Sequence, residues 1–478
     1  MKNWIKKNRI IICIFAIALV IRVFFVFVMP VKLWDETVYT NLGYDLSKNF
    51  FQYSFTHGWI DFMPGNQLNL SAGFRAPLLP YLISGFYFLK LNFLINFIMP
   101  IVGAFSVVLV YLLGKELFNK KIGLISSSFF ALIPLHAFYS GRILTGVLFT
   151  FLVLLTFLSF WKGYEKENKK HKVLFGVFLA LALLSRYTAL WIIPVFILYF
   201  LARDKSFKFL KDRYLWYSIL AFFLALIPWF IYGVFEYNNP IGAFIHGAMA
   251  SSYWGGIQSW HFFFDHWLQM FSIIGFIFVI GLIYILYKKD FLKKEFYLLL
   301  IWFAFFLGMA IYMPHKEDRF ILAIVPTIAL ISGYFVDKVK KYKKLIIFVI
   351  LLILLISSGI YFFVEYGIYH NTNTKCFEEV ATELQSINGD FMIVSENPPL
   401  FRYYVKKESA YYPDNLNEET IKELLNSTDK TIYFIFTKFN SGFETEKWQN
   451  LKSIMEENYK LEFECSEYPE VNWIYSNR

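Results

Sequence analysis

Cysteine is scarce in this 478-residue chain: Cys13, Cys376 and Cys465 are the whole supply, one in an apolar run and two far apart toward the end. Without a C-x-x-C pair no zinc or thiol-redox motif has a starting point. The histidines, His266 among them, show no H-E-x-x-H or comparable metal spacing. A Cys376–Cys465 bridge in an oxidising compartment stays open, with free thiols as the alternative. No internal repeat or low-complexity tract appears. Charge is thin too, at 17% of residues against 57% hydrophobic ones, which is too apolar for a soluble protein. The net charge of +10 does not point to nucleic acid. Lys and Arg cluster in short segments between apolar runs, where they report membrane topology instead. Membrane lipids are therefore the first partner.

Residues 1–9 are basic and 10–29 form a nearly uninterrupted apolar run, about 30 Å of helix. That exceeds a signal-peptide core, and no small-x-small cleavage pattern follows, so the reading is an uncleaved first helix with a cytoplasmic N-terminus. Further spans fall at about 93–114, 122–139, 145–161, 173–185, 187–202, 214–235, 267–287, 296–313, 320–336 and 345–363. The pair 173–185 and 187–202 is short and reads equally as a shallow hairpin, and 78–89 as an interfacial or re-entrant piece. This arrangement puts five basic loops on one side, the cytoplasmic one, while Glu236 to Asp265 opposite carries no Lys or Arg.

The expectation is a polytopic α-helical membrane protein of about eleven transmembrane helices (1–364), with a large first outer loop (31–92). From about Glu365 the composition becomes that of a soluble domain. Phe391–Val394 and Thr431–Phe436 read as strands, with helical patterns at Glu418–Asn426 and Glu444–Glu457, so 365–478 is expected to form a small extracytoplasmic α/β domain. Asn69-Leu70-Ser71 and Asn426-Ser427-Thr428 are sequons of the kind that chance alone supplies.

Chemistry-bearing residues concentrate in the outer loops. Asp35-Glu36 follows the first span, at the expected start of a helix through Tyr39, Leu42 and Leu46, where the positive helix end favours ionised acids. The plain alternative is a capping Asp35 beside a solvated Glu36. Tyr39, His57 and Trp59, with Asn66 and Gln67, are of the kind that line sugar sites, and are also frequent at any interface. Arg75 sits in Gly73-Phe74-Arg75-Ala76-Pro77. A second constellation is Pro314-His315-Lys316-Glu317-Asp318-Arg319-Phe320, whose His315, Lys316 and Arg319 suit phosphate oxygens; its plain alternative is a solvated turn. Arg142 and Arg186 lie near outward span ends, where snorkelling alone also explains them.

Taken together, Asp35-Glu36, Phe74-Arg75-Ala76-Pro77-Leu78, the 176–186 pattern GVFLALALLSR, Ile227-Pro228-Trp229 and the His315–Phe320 run with Pro326 resemble the GT-C glycosyltransferases. Within them the similarity is to the dolichyl-phosphate-mannose protein mannosyltransferases and lipid A aminoarabinose transferases. The resemblance covers about 1–335. It implies a sugar carried on a polyprenyl (dolichyl or undecaprenyl) phosphate and moved with inversion to a glycan, lipid or protein acceptor at the outer face. The first-loop acid would be the base. On that reading Asp35 is the base and Glu36 orients the acceptor; Lys316 and Arg319, with His315, Arg75 and Arg142 nearby, take the phosphate, and Tyr39 and His57 line the substrate. No cofactor is certain, but a divalent cation, Mg or Mn, at Asp35 or Glu36 is compatible with this chemistry. One departure stands out: relatives often carry an acid shortly after the position of Arg142, and here the aligned residue is Gly146. A lipid-linked substrate transporter or flippase, or an inactive GT-C-like scaffold, is the alternative.

Overall fold

In hydrocarbon a backbone can satisfy its own N–H and C=O groups only as a helix or a closed barrel, so the long apolar runs of this sequence become helices. The computed structural model describes residues 2–29, 32, 34–54, 72–253, 257–371, 374–395, 398–411, 430–437, 453–465 and 472–476. Among these, eight helices are long and apolar enough to cross a membrane: Asn8–Val28, Asn92–Leu117, Thr145–Glu165, Tyr187–Asp204, Arg213–Tyr237, Lys294–Tyr312, Asp318–Lys338 and Lys343–Glu365. The other three expected spans fall on shorter helices, Lys120–Leu132 with Pro134–Tyr139, Lys169–Ser185 and Ile273–Tyr287. The chain divides into two compact units. One comprises Met1–Pro30, Gly73–Leu82 and Leu89–Phe363, the other Val31–Ala72, Ile83–Phe88 and Val364–Arg478. The first outer loop is thus divided: its 31–72 and 83–88 parts share a unit with the C-terminal residues, and its 73–82 and 89–92 parts belong to the helical unit.

In the helical unit, the expected 122–139 span breaks at Ile133, whose extended backbone (φ −62°, ψ 122°) is what a following proline imposes. The break leaves the carbonyls of Ala131 and Leu132 outside the helical ladder. Arg22 Nη1 donates to Ala131 O at 3.0 Å, and Ser358 Oγ to Leu132 O at 2.7 Å. Arg22 is wholly buried inside the first spanning helix. Its other donors meet Ala18 O at 3.0 Å, Ser140 Oγ at 3.2 Å and His136 Nδ1 at 3.1 Å. Gly103 makes room: a Cβ there would lie 2.9 Å from Arg22 Nε and 2.4 Å from Ser140 Oγ. The hydropathy reading took 10–29 as a nearly uninterrupted apolar span and gave Arg22 no role. The structure makes it the tie between the first helix and the broken one.

The second unit holds a five-stranded sheet of β1 (Phe391–Ser395), β2 (Glu408–Tyr411), β3 (Thr431–Thr437), β4 (Lys460–Cys465) and β5 (Asn472–Ser476), ordered β2-β1-β3-β5-β4. β1 pairs parallel with β2 and β3, and β5 antiparallel with β3 and β4. The helices Thr374–Ser386 and Pro398–Val405 bury Val380, Leu384, Leu400 and Phe401 against Phe391, Ile393 and Tyr433, and Trp34 packs on the same cluster. Both expected strands are present. The 418–426 helix, the first part of the 444–457 helix, both sequons, and the Cys376 and Cys465 side chains lie outside the described residues.

Arg22 carries four hydrogen bonds in a buried site, so Arg22→Met strands Ser140, His136 and Ala131 O without their partner. The expected loss is about 2–4 kcal/mol, read as a lowered thermal midpoint in detergent, whereas Cys13→Ser on the exposed face of the same helix stays within about 0.5 kcal/mol.

Candidate active site

The helical unit gathers the sequence motifs at one tyrosine. Tyr187 OH donates to Gly73 O at 2.7 Å, with Arg75 O 3.3 Å away, and accepts from Trp229 Nε1 at 3.1 Å. The turn carrying Arg75 is therefore held by the residue after Arg186 and by the Trp of Ile227-Pro228-Trp229. Arg186 lies over the Phe320 ring at 4.9 Å, with Arg319 O 3.5 Å from its Nη1. Arg75 and Arg142 are buried, 6% and 3% exposed, which is deeper than head-group snorkelling requires. Arg142 closes the turn after Pro134–Tyr139, donating its N–H to Tyr139 O at 3.2 Å, and its own carbonyl accepts from Leu144. Two positions beyond Leu144 comes Gly146, where a Cβ would lie 2.6 Å from Leu322 Cδ1 and 3.7 Å from Arg319 O. A Cβ at that position presses on the tip of the Leu322 side chain, in the segment that bears Arg319, while Arg319 O stays at an ordinary contact distance.

The His315–Phe320 segment is neither a solvated turn nor the row of available cations its composition suggests. Lys316 is 4% exposed. Its ammonium donates to Met313 O at 2.7 Å and Gln258 O at 3.0 Å, with Pro314 O at 3.5 Å, so three carbonyls surround a group that has three protons to give. Its backbone N–H donates to Gln258 Oε1 at 2.5 Å. Arg319 pairs with Glu317 through both carboxylate oxygens, at 2.7 and 2.5 Å, and His315 Nε2 is 3.1 Å from the same acid. Asp318 accepts from Tyr361 OH at 3.2 Å and stands 3.6 Å from His266 Nδ1. Lys316 thus braces the loop against Gln258, a residue the sequence offered no reason to single out.

The acids belong to the other unit. The helix Trp34–Lys48 opens with Asp35 and Glu36 in its first turn and buries Tyr39, Leu42 and Leu46. Glu36 is fully buried rather than solvated, 3.9 Å from the buried ammonium of Lys32, four residues earlier and ahead of the helix, while Asp35 is half-buried. Sequence reasoning missed Lys32, although its i,i+4 spacing to Glu36 was a usable signal. Tyr403 faces the same acid: desolvation and then the Glu36 charge raise its phenol above the ordinary range, so it stays a neutral hydroxyl. For a divalent cation the fit is poor, because Lys32 already supplies the positive charge at Glu36 and no group of three His, Cys, Asp or Glu among the described residues is placed to hold a metal. His57 lies outside the described residues.

A family model described as the Alg9-like mannosyltransferase family matches residues 75–397, more than half of the chain. The chain belongs to the Alg9-like mannosyltransferase family. It is a multi-pass GT-C glycosyltransferase by fold and family, in line with the resemblance read from its motifs. ArnT from Cupriavidus metallidurans bound to undecaprenyl phosphate has the same fold, with a TM-score of 0.73 at 11% identity over 98% of both chains. The archaeal oligosaccharyltransferase AglB from Archaeoglobus fulgidus, in complex with an inhibitory peptide and a dolichol-phosphate, follows at 0.58 and 15%, covering 98% of this chain and 74% of its own. No curated protein matches by sequence.

Within this mannosyltransferase-family site, Gly146 and Leu322 are coupled by contact. Gly146→Ala is expected to cost about 1–3 kcal/mol through overpacking, and Leu322→Ala about 2–5 kcal/mol through a cavity. Because each change relieves the other, thermal unfolding of the double variant should show a loss smaller than the sum.

Proposed function

We propose that this chain is an inverting glycosyltransferase that moves a sugar from a polyprenyl phosphate to an acceptor hydroxyl at the outer membrane face. The observation that carries the reading is the convergence of the Arg75, Arg186 and Arg319 segments on Tyr187 and Phe320, which gathers positive charge suited to a phosphate. Its support is the family match and the lipid phosphates held by two proteins of the same fold. The N-terminus is cytoplasmic and the C-terminal residues outside, by the five basic loops; a reporter after Glu365 on the same side as one at Asn168 would contradict this.

The chemistry divides cleanly. Phosphate leaves as a stable anion, so the leaving group needs no acid, only charge stabilisation from the arginines, Arg142 included. Asp35 removes the acceptor hydroxyl's proton as the oxygen attacks the anomeric carbon on the face opposite the phosphate. Glu36, 3.9 Å from Lys32 Nζ, orients the acceptor. Lys316 shapes the loop that presents Arg319 and does not itself grip the phosphate. Transport is the weaker reading: Arg22 is an ionisable residue within a span, but its hydrogen bonds to Ser140, Ala18, Ala131 and His136 give it a structural task.

A positioned base contributes about 10²–10⁴ in rate, or about 3–5.5 kcal/mol of barrier. Asp35→Asn is therefore expected to lose at least about a hundredfold in turnover while keeping undecaprenyl phosphate affinity within a few-fold. Glu36→Gln is the control. Near-normal turnover in the Asn variant with a dead Gln variant moves the base to Glu36, and activity in both removes it from this helix.

A further inference from the structure

Residues 365–478 carry 20 Asp and Glu against 11 Lys and Arg, so an acidic surface is the default there. One cavity in the second unit breaks the rule. Its volume is about 540 Å³, and Arg402, Lys406, Lys407 and Lys430, four of those eleven cations, line it together with Lys48 of the Trp34–Lys48 helix. Three carboxylates face them. Asp45 pairs with Arg402 at 2.6 Å, and Glu408 and Asp390 with Lys430 at 2.8 and 3.1 Å. Among the described residues Lys48, Lys406 and Lys407 meet no carboxylate: Lys48 lies over the Tyr44 ring at 4.2 Å, Lys406 over Tyr403 at 4.4 Å, and Lys407 donates to Gly389 O at 2.5 Å. Desolvation and the neighbouring Arg402 charge both hold Lys406 below the ordinary lysine range, a penalty that a bound anion would relieve.

The helical wall adds a second kind of chemistry. Asn41, Tyr44, Asp45 and Lys48 stand at i, i+3, i+4 and i+7, one face of the helix, and Asn49 and Gln52 continue the lining past its end. Amides and a phenol beside charges are groups that hydrogen-bond sugar hydroxyls. We propose that this cavity binds an anionic oligosaccharide, the acid-bearing part of the acceptor; the acceptor role rests on the glycosyl-transfer reading above. Asp35 and Asp45 are ten residues apart on one helix, about 15 Å, so an acceptor anchored in the cavity and attacked near Asp35 extends over more than one sugar.

The test is equilibrium binding to the full-length protein in detergent, with trigalacturonic acid, neutral maltotriose and inorganic pyrophosphate as probes and undecaprenyl phosphate measured in parallel. Trigalacturonate is expected to bind at least tenfold more tightly than maltotriose and pyrophosphate. The Lys48→Glu/Lys406→Glu variant should weaken it tenfold or more, and Lys48→Ala by less, with the thermal midpoint unchanged and undecaprenyl phosphate affinity within twofold of the parent. Equal binding of trigalacturonate and maltotriose, preferential binding of pyrophosphate, or unchanged affinity in the charge-reversed variant overturns the proposal. Charge-dependent trigalacturonate binding in a protein that ignores undecaprenyl phosphate supports the cavity and counts against the donor reading alone.

Discussion

Charge placed beside hydrocarbon has to find its partners inside the protein, and most of this structure follows from that requirement. Removing an ion from water costs several kcal/mol even after relaxation, so each buried charge organises the chain around it. Arg22 joins the first helix to the one broken at Pro134 because the break frees a carbonyl and the arginine needs one. Lys316 draws Met313, Pro314 and Gln258 around its ammonium for the same reason. Lys32, just ahead of the helix, and Glu36 in its first turn answer each other.

The same requirement distinguishes how the cations are held. A lysine whose three protons are all directed at carbonyls has nothing left for a ligand, so Lys316 belongs to the frame. Arg319 pairs with Glu317, and a pair of that kind keeps a guanidinium oriented. Preorganised charge of this sort costs no reorganisation at the moment of reaction. Tyr187, with hydrogen bonds on both sides of its oxygen, holds the turn that bears Arg75 against the helix that bears Trp229.

Much of this was legible in the sequence, because apolar runs must become helices and loop charges report sidedness. β1 and β3 were legible from their β-branched and aromatic content. What escaped had partners far away along the chain. Gln258 stands 58 residues from Lys316, and nothing in its neighbourhood marks it. Arg22 was readable in principle, since an arginine within a span is costly enough to need a reason, but a hydropathy average hides a single residue. Gly146 reads in the sequence only as a missing acid, and its contact with the tip of Leu322 was not legible there. The helix Pro398–Val405 was missed because eight residues give periodicity little on which to speak, whereas Thr374–Ser386, with apolar residues at 377, 380, 381 and 384, was readable in principle.

The central claim is that the chain breaks the bond between a sugar and a polyprenyl phosphate. The direct measurement is incubation of the purified protein, with acceptor glycans from a membrane extract, against a panel of undecaprenyl-phosphate-linked sugars, following free undecaprenyl phosphate by mass spectrometry. The account predicts its release from at least one donor, with the sugar recovered on an acceptor in inverted anomeric configuration. Retained configuration, or no release from any donor by a protein that binds undecaprenyl phosphate, would contradict it.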